Sequence, residues 1–444
     1  MEIRLSFFST TALIVELLLG ISCVPLACGY SVLTHEAIID ATWKDSIEPA
    51  LLCRFPFATS DELARAHAYA YGGAIIQDLG YYPFANKFFS DLTHYVRSGD
   101  FVLALIDESR DLNEFAFALG ALSHYAADNS GHESATNRAV PMLYPKLAKK
   151  YGRVVTYEDQ PSAHMKVEYG FDVDQVAEQN YAPQAYHDFI GFEVSKPLLE
   201  RAFVRTYGLE LSSVIVRVDL AIGSYRHAVA KVIPNMTKVA WHLKKDEIQQ
   251  SRPSATQSKY LYNFSKADYR KEWGDVYEKP GFFARFKAFF LRFVPKKGPF
   301  SALAFHPPTP VIERMYMDSV NQTFDHYRAL LVAERNGGLQ LPNENLDTGT
   351  VTGASTYRLM DKTYAQLLEK TSGKPISDAL RDDLLSYYAD LDKPYATKRD
   401  AKRWHELLRD LDRLRATAQK QHGTNVALPA VTGCLAACGS GFKD

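Results

Sequence analysis

The ten residues SHYAADNSGH (123–132) constrain this chain more than any other stretch. They follow EFAFALGAL (114–122), an apolar run rich in helix-forming residues. His124 and Asp128 are spaced i,i+4, and His132 continues the same spacing. On a helix such residues lie one turn apart on one face. Two readings fit. One is a core helix with a hydrogen-bonded His and a cap-like Asp. The other is a helix wall offering imidazole and carboxylate to a zinc ion. In both, the polar groups need partners, because unpaired His and Asp are costly in a core.

The flanking chain reads as mostly α, a multi-helix domain with a helical C-terminal extension. At 444 residues it can hold a large core and an appendage. Long β-patterned runs are scarce. The formal net charge of −1 implies no global attraction to nucleic acid or anionic lipid. Helices are expected over 35–50 after a cap at Thr34, over 60–77 with Ser60 as cap, and over 107–128 as the central helix. Loop and a short helix follow over 141–162, with Pro141 at the start. Apolar periodicity marks 184–206 and 211–243. Residues 30–243 therefore read as one helical domain. Residues 244–271 are polar and linker-like, 306–336 helix-forming, 337–353 loop-like, and 357–420 a charged helical hairpin.

The first 29 residues read as a signal peptide. Arg4 supplies a basic start, ALIVELLLGI (12–21) an apolar run, and Ala27 and Gly29 small residues two apart. Cleavage after Gly29 makes Tyr30 the mature amino terminus, and the chain is expected to be exported: secreted, periplasmic or membrane-associated. The run is short for a membrane anchor. Of five cysteines, two lie in this segment, so no disulfide framework is implied. The stretch FFARFKAFFLRFV (282–294), stopped by Pro295 and followed by Lys296 and Lys297, interleaves Phe with basic residues. It fits contact with a membrane surface or packing on the main domain.

Further candidate ligands fall within 30–243. AHMKVEYGFDV (163–173) repeats the i,i+4 pairing with His164 and Glu168. His35, Asp78 and His94 are also there, with Tyr30 as a free terminus. The pattern HYxxD-then-His (His124, Asp128, His132), the HxxxE pair (His164, Glu168) and an aromatic terminus followed closely by His (Tyr30, His35) together resemble the zinc-dependent phospholipase C family and the related zinc-dependent single-strand nucleases. The resemblance spans residues 30–243, about half the chain.

It implies a mostly α fold with three zinc ions. Asp78, His94, His124 and Asp128 would hold one. Asp128 would bridge to a second, held also by His35 and by the amino group and carbonyl of Tyr30. His132, His164 and Glu168 would hold the third. The family usually places five residues, often with a Pro, between that Asp and the next His. Here there are three, Asn129, Ser130 and Gly131, and no Pro. Tyr30 stands where the family usually has Trp.

Oxygen and imidazole donors without thiolate suit catalytic zinc with open positions. Such ions activate water and neutralise charge at phosphorus, so the expected activity is phospholipase C-type hydrolysis of a phospholipid phosphodiester. Asp78 is the candidate for orienting or deprotonating that water. Tyr81, Tyr82 and Phe84 could wall the site, for a choline cation or a stacked base. Two alternatives remain: a single-strand zinc nuclease, and a membrane-associated helical binding protein with an empty cluster. No obligate protein partner is evident.

Overall fold

The computed structural model describes residues 31–177, 191–229, 233 and 305–421. Tyr30, the leader, the 243/244 boundary and the Phe-rich segment 282–297 lie outside the described residues. Within them the chain is helical, apart from one two-stranded hairpin. The main helices are α1 (Val32–Thr42), α2 (Ser60–Ala74), α3 (Lys87–Tyr95), α4 (Ser98–Glu108), α5 (Leu112–Gly131), α6 (Pro161–Ala177), α7 (Lys196–Tyr207), α8 (Pro310–Arg335), α9 (Arg358–Thr371), α10 (Asp378–Tyr387) and α11 (Ala401–Gln421). The hairpin pairs β1 (Glu344–Asn345) with β2 (Thr350–Val351). No described helix is long and apolar enough to cross a membrane.

α5 is the axis of the fold, and most of its residues are buried. α2 lies against it at backbone contact. A Cβ built on Gly73 would stand 1.9 Å from the carbonyl oxygen of Phe117, and one on Gly120 2.1 Å from that of Ala70. Only glycine allows this approach. α8 covers another side of α5, where the Tyr327 hydroxyl donates to the Leu119 carbonyl at 2.9 Å. One apolar core joins side chains from Val32 through Leu414. The helices after residue 305 therefore share the core of those before 230.

Several boundaries differ from the sequence expectation, each for a local reason. The central helix is not continuous from 107. α4 ends at Glu108, and α5 begins after Asp111, whose side chain accepts from the Glu114 amide at 2.9 Å. α2 is capped by Thr59 rather than Ser60, in a capping box closed by Glu62. Pro141 sits inside a short helix, Asn137–Leu143, instead of starting a loop. α1 begins at Val32, two residues before Thr34. Asp172 of α6 accepts from the amides of Leu33 (2.9 Å) and Thr34 (3.1 Å) and so caps its open end. Burial pushes the Asp172 carboxyl up to about 6 against those hydrogen bonds.

The tight α2–α5 contact makes a direct prediction. Gly120→Ala should destabilise the protein by about 1–3 kcal/mol or more through overpacking. Gly223, in the helix Val218–His227, has nothing within 4 Å of a built Cβ. Gly223→Ala should be neutral or slightly stabilising. Thermal unfolding of the two variants side by side checks this. Equal melting temperatures would contradict the close-approach account.

Candidate metal centre

The imidazoles of His94, His124 and His132 are each aimed by a backbone carbonyl. Nδ1 of His94 lies 2.8 Å from the Ser90 carbonyl, one turn back on α3. Nδ1 of His124 lies 2.9 Å from the Ala74 carbonyl, at the end of α2. Nδ1 of His132 lies 2.7 Å from the Leu346 carbonyl, in the hairpin. An Nδ1–H donated to a carbonyl fixes the tautomer and leaves Nε2 as the lone-pair nitrogen. The close α2–α5 packing thus does chemical as well as structural duty, because it brings the Ala74 carbonyl to His124.

The Nε2 atoms meet carboxylates in two groups. In the first, His124 Nε2 is 3.1 Å and His94 Nε2 3.4 Å from Asp128 Oδ2. His94 Nε2 is also 3.4 Å from Asp78 Oδ1 and 3.4 Å from His124 Nε2. On the other side, His35 Nε2 is 3.4 Å from Asp128 Oδ1. Asp128 therefore faces His35 with one oxygen and the His94–His124 pair with the other. In the second group, Glu168 Oε1 is 2.7 Å from His164 Nε2 and 3.5 Å from His132 Nε2. All of these residues are essentially buried.

This geometry fits cations better than hydrogen bonds. Neither oxygen of Asp78 or Asp128 has a hydrogen-bond partner, nor does Nε2 of His132 or of His164. Such atoms point at a shared space rather than at one another. Donors about 2.0–2.1 Å from a tetrahedral zinc stand roughly 3.3 Å apart. The first group's spacings of 3.1 and 3.4 Å match that edge. The 2.7 Å His164–Glu168 pair is tighter.

Protons alone leave the same groups in conflict. Burial disfavours charge on His94, but the Asp128 and Asp78 carboxylates outweigh it and hold the ring up to about 10. Burial and the nearby His124 bring His35 down to about 3. Burial pushes Asp78 up. Asp128 is opposed by burial, yet His124, His132 and His94 hold it well below the usual range. A divalent cation would satisfy the opposed groups together.

Comparison with protein families now bears directly on this arrangement. The family model described as zinc dependent phospholipase C matches residues 34–215. Comparison with curated proteins and with solved structures finds no match. The mostly α fold agrees with that family. The match holds the first group and His132, His164 and Glu168, but ends well before α8 and the hairpin.

The structure thus brings eight of the nine sequence candidates into two adjoining groups. Tyr30 lies outside the described residues. The short Asp128–His132 gap is taken up by the helix itself. At 3.6 residues per turn, eight residues rotate about 80° past whole turns, so His124 and His132 face different groups with Asp128 between them. A π-helical segment, His132–Thr136, begins at His132.

The aromatic wall is partly different. Tyr81 stands beside His94 (ring centroids 6.3 Å apart), and Tyr157 beside His164 (5.8 Å). Tyr82 is instead packed in the core against Tyr225, and Phe84 is exposed. Sequence reasoning missed Tyr157, and it missed Asp347. Asp347 Oδ1 is 3.7 Å from His132 Nδ1 and 3.7 Å from His164 Nε2. Its only sequence signal is an acid in the segment NENLDTGT (343–350), which carries no periodicity.

Zinc should raise the unfolding temperature of the metal-stripped protein, since a ligand that binds the folded form stabilises it. Asp128→Asn should remove most of that rise. Calorimetry with and without zinc checks this, and an equal rise in both proteins would contradict the shared role of Asp128.

Proposed function

We propose that the chain is an exported zinc-dependent phosphodiesterase of the phospholipase C type. It would hydrolyse a phospholipid phosphodiester by a metal-activated water. The observation that carries this reading is the bridging position of Asp128, between His35 and the Asp78–His94–His124 set, inside the stretch that matches that family. We infer three ions. Asp78, His94, His124 and Asp128 would hold the first. Asp128, His35 and the terminus at Tyr30 would hold the second. His132, His164 and Glu168 would hold the third. Bound in the first two positions, zinc would supply Lewis-acid stabilisation of phosphate charge and lower the pKa of water.

The chain's own residues do the rest. Asp128 balances charge between the first two positions. Asp78, whose oxygens have no hydrogen-bond partner, is the residue we assign to orient the attacking water in line with the leaving alcohol. Tyr81 and Tyr157, with ring centroids 6.1 Å apart, flank His94 and His164 and offer an aromatic side to the substrate. Lys87 Nζ lies 5.7 Å and 5.5 Å from these two rings. That ammonium is paired with the Asp91 carboxylate.

The test is phosphocholine release from lecithin vesicles against digestion of single-stranded DNA, each with and without chelator. The expected result is chelator-sensitive phosphocholine release, reduced about 10²-fold or more in Asp128→Asn. Digestion of DNA without phosphocholine release would favour the nuclease. Zinc binding with neither activity would leave a binding protein.

A further inference from the structure

We propose that Asp347, contributed by the hairpin outside the matched domain, is a fourth donor to the second group and closes it as a structural zinc site. The inference rests on the zinc reading above. It separates the two groups by role, with the hydrolytic chemistry placed on the Asp78–His94–His124–Asp128–His35 side.

Asp347 is 1% exposed. One oxygen is held in place: Oδ2 accepts from the Tyr157 amide at 3.0 Å and from the Tyr357 hydroxyl. The other, Oδ1, has no hydrogen-bond partner and stands 3.7 Å from Nε2 of His164 and 3.7 Å from the carbonyl-bound Nδ1 of His132. A buried carboxylate oxygen without a donor is expensive. It stands beside a group in which Nε2 of His132 and of His164 have no hydrogen-bond partner and lie 3.5 and 2.7 Å from Glu168 Oε1. His132, His164 and Asp347 each offer a ligand atom within 4.8 Å of the others.

The surrounding backbone leaves the hairpin little freedom to turn this oxygen elsewhere. The Leu346 amide donates to the His94 carbonyl at 3.0 Å, and the Leu346 carbonyl takes Nδ1 of His132. Asn137 Nδ2 donates to the Asp347 carbonyl at 2.6 Å. Glu344 accepts from the Tyr125 hydroxyl and from Asn129 Nδ2, each at 2.7 Å, on either side of Asp128 along α5. Gly349 turns the chain at φ 65°, against the Asn129 carbonyl.

Donor count and charge then decide the role. Three protein donors leave zinc an open position, and four fill a tetrahedral site. Two neutral imidazoles with the Glu168 and Asp347 carboxylates also make a neutral assembly around a divalent ion. With Glu168 alone, a net positive charge would remain in a dry core, which is costly.

The test uses the full mature chain loaded with zinc. Bound metal is measured by elemental analysis, and its release is followed against a chromogenic chelator. Asp347→Asn keeps the shape and an acceptor for Tyr157 but removes the charge. Asp347→Ser serves where the Asn variant does not fold. Tyr357→Phe removes one anchor and keeps the carboxylate. The expected result is about one zinc fewer per chain, or at least 10-fold faster release of one ion, in the Asp347 variant, with near-wild-type content in Tyr357→Phe. An Asp347 variant that keeps every ion at the wild-type release rate overturns the proposal and leaves the zinc-enzyme reading standing. A wild-type chain that binds no zinc overturns both.

Discussion

The structure depends on one buried carboxylate. Asp128 sits in the core with His35, His94 and His124 around it at 3.1–3.4 Å. An ion in such a place is tolerated only with opposite charge and fixed dipoles around it. The protein does not meet this need with ordinary hydrogen bonds. It ties the outer nitrogens of His94, His124 and His132 to main-chain carbonyls and turns their inner nitrogens toward shared spaces. A cation suits that arrangement far better than a shared proton does.

Everything that positions those rings is a packing decision made elsewhere. Gly73 and Gly120 let α2 and α5 touch, which sets the Ala74 carbonyl under His124. Asp172 caps α1 and so fixes the helix that carries His35. The hairpin after α8 carries the carbonyl that turns His132. The centre is thus assembled from segments far apart in sequence, and the chain beyond the family match is part of its walls.

Legibility followed the range of each interaction. The His124–Asp128 and His164–Glu168 pairs could be read directly, because helical periodicity brings i,i+4 residues together whatever the tertiary fold. His35, Asp78 and His94 have no such local signature, and only the family resemblance picked them out. The Asp128–His132 gap looked like a departure because it was compared as a length, whereas helical rotation decides where His132 points. Asp347 was out of reach. It lies in an aperiodic segment next to Leu346, 214 residues from His132, and nothing local marks it as a partner. The break between α4 and α5 was readable in principle. Asp111 and Glu114 carry a capping signal that the continuous apolar pattern masked.

The central claim is that two adjoining groups of imidazoles and carboxylates exist to hold zinc. Anomalous diffraction at the zinc edge, from crystals of the protein grown with zinc, tests it most directly. The account predicts density within the Asp78–His94–His124–Asp128–His35 group and separate density among His132, His164, Glu168 and Asp347. Absence of anomalous density at both, with these side chains hydrogen-bonded to one another or to water, would contradict it.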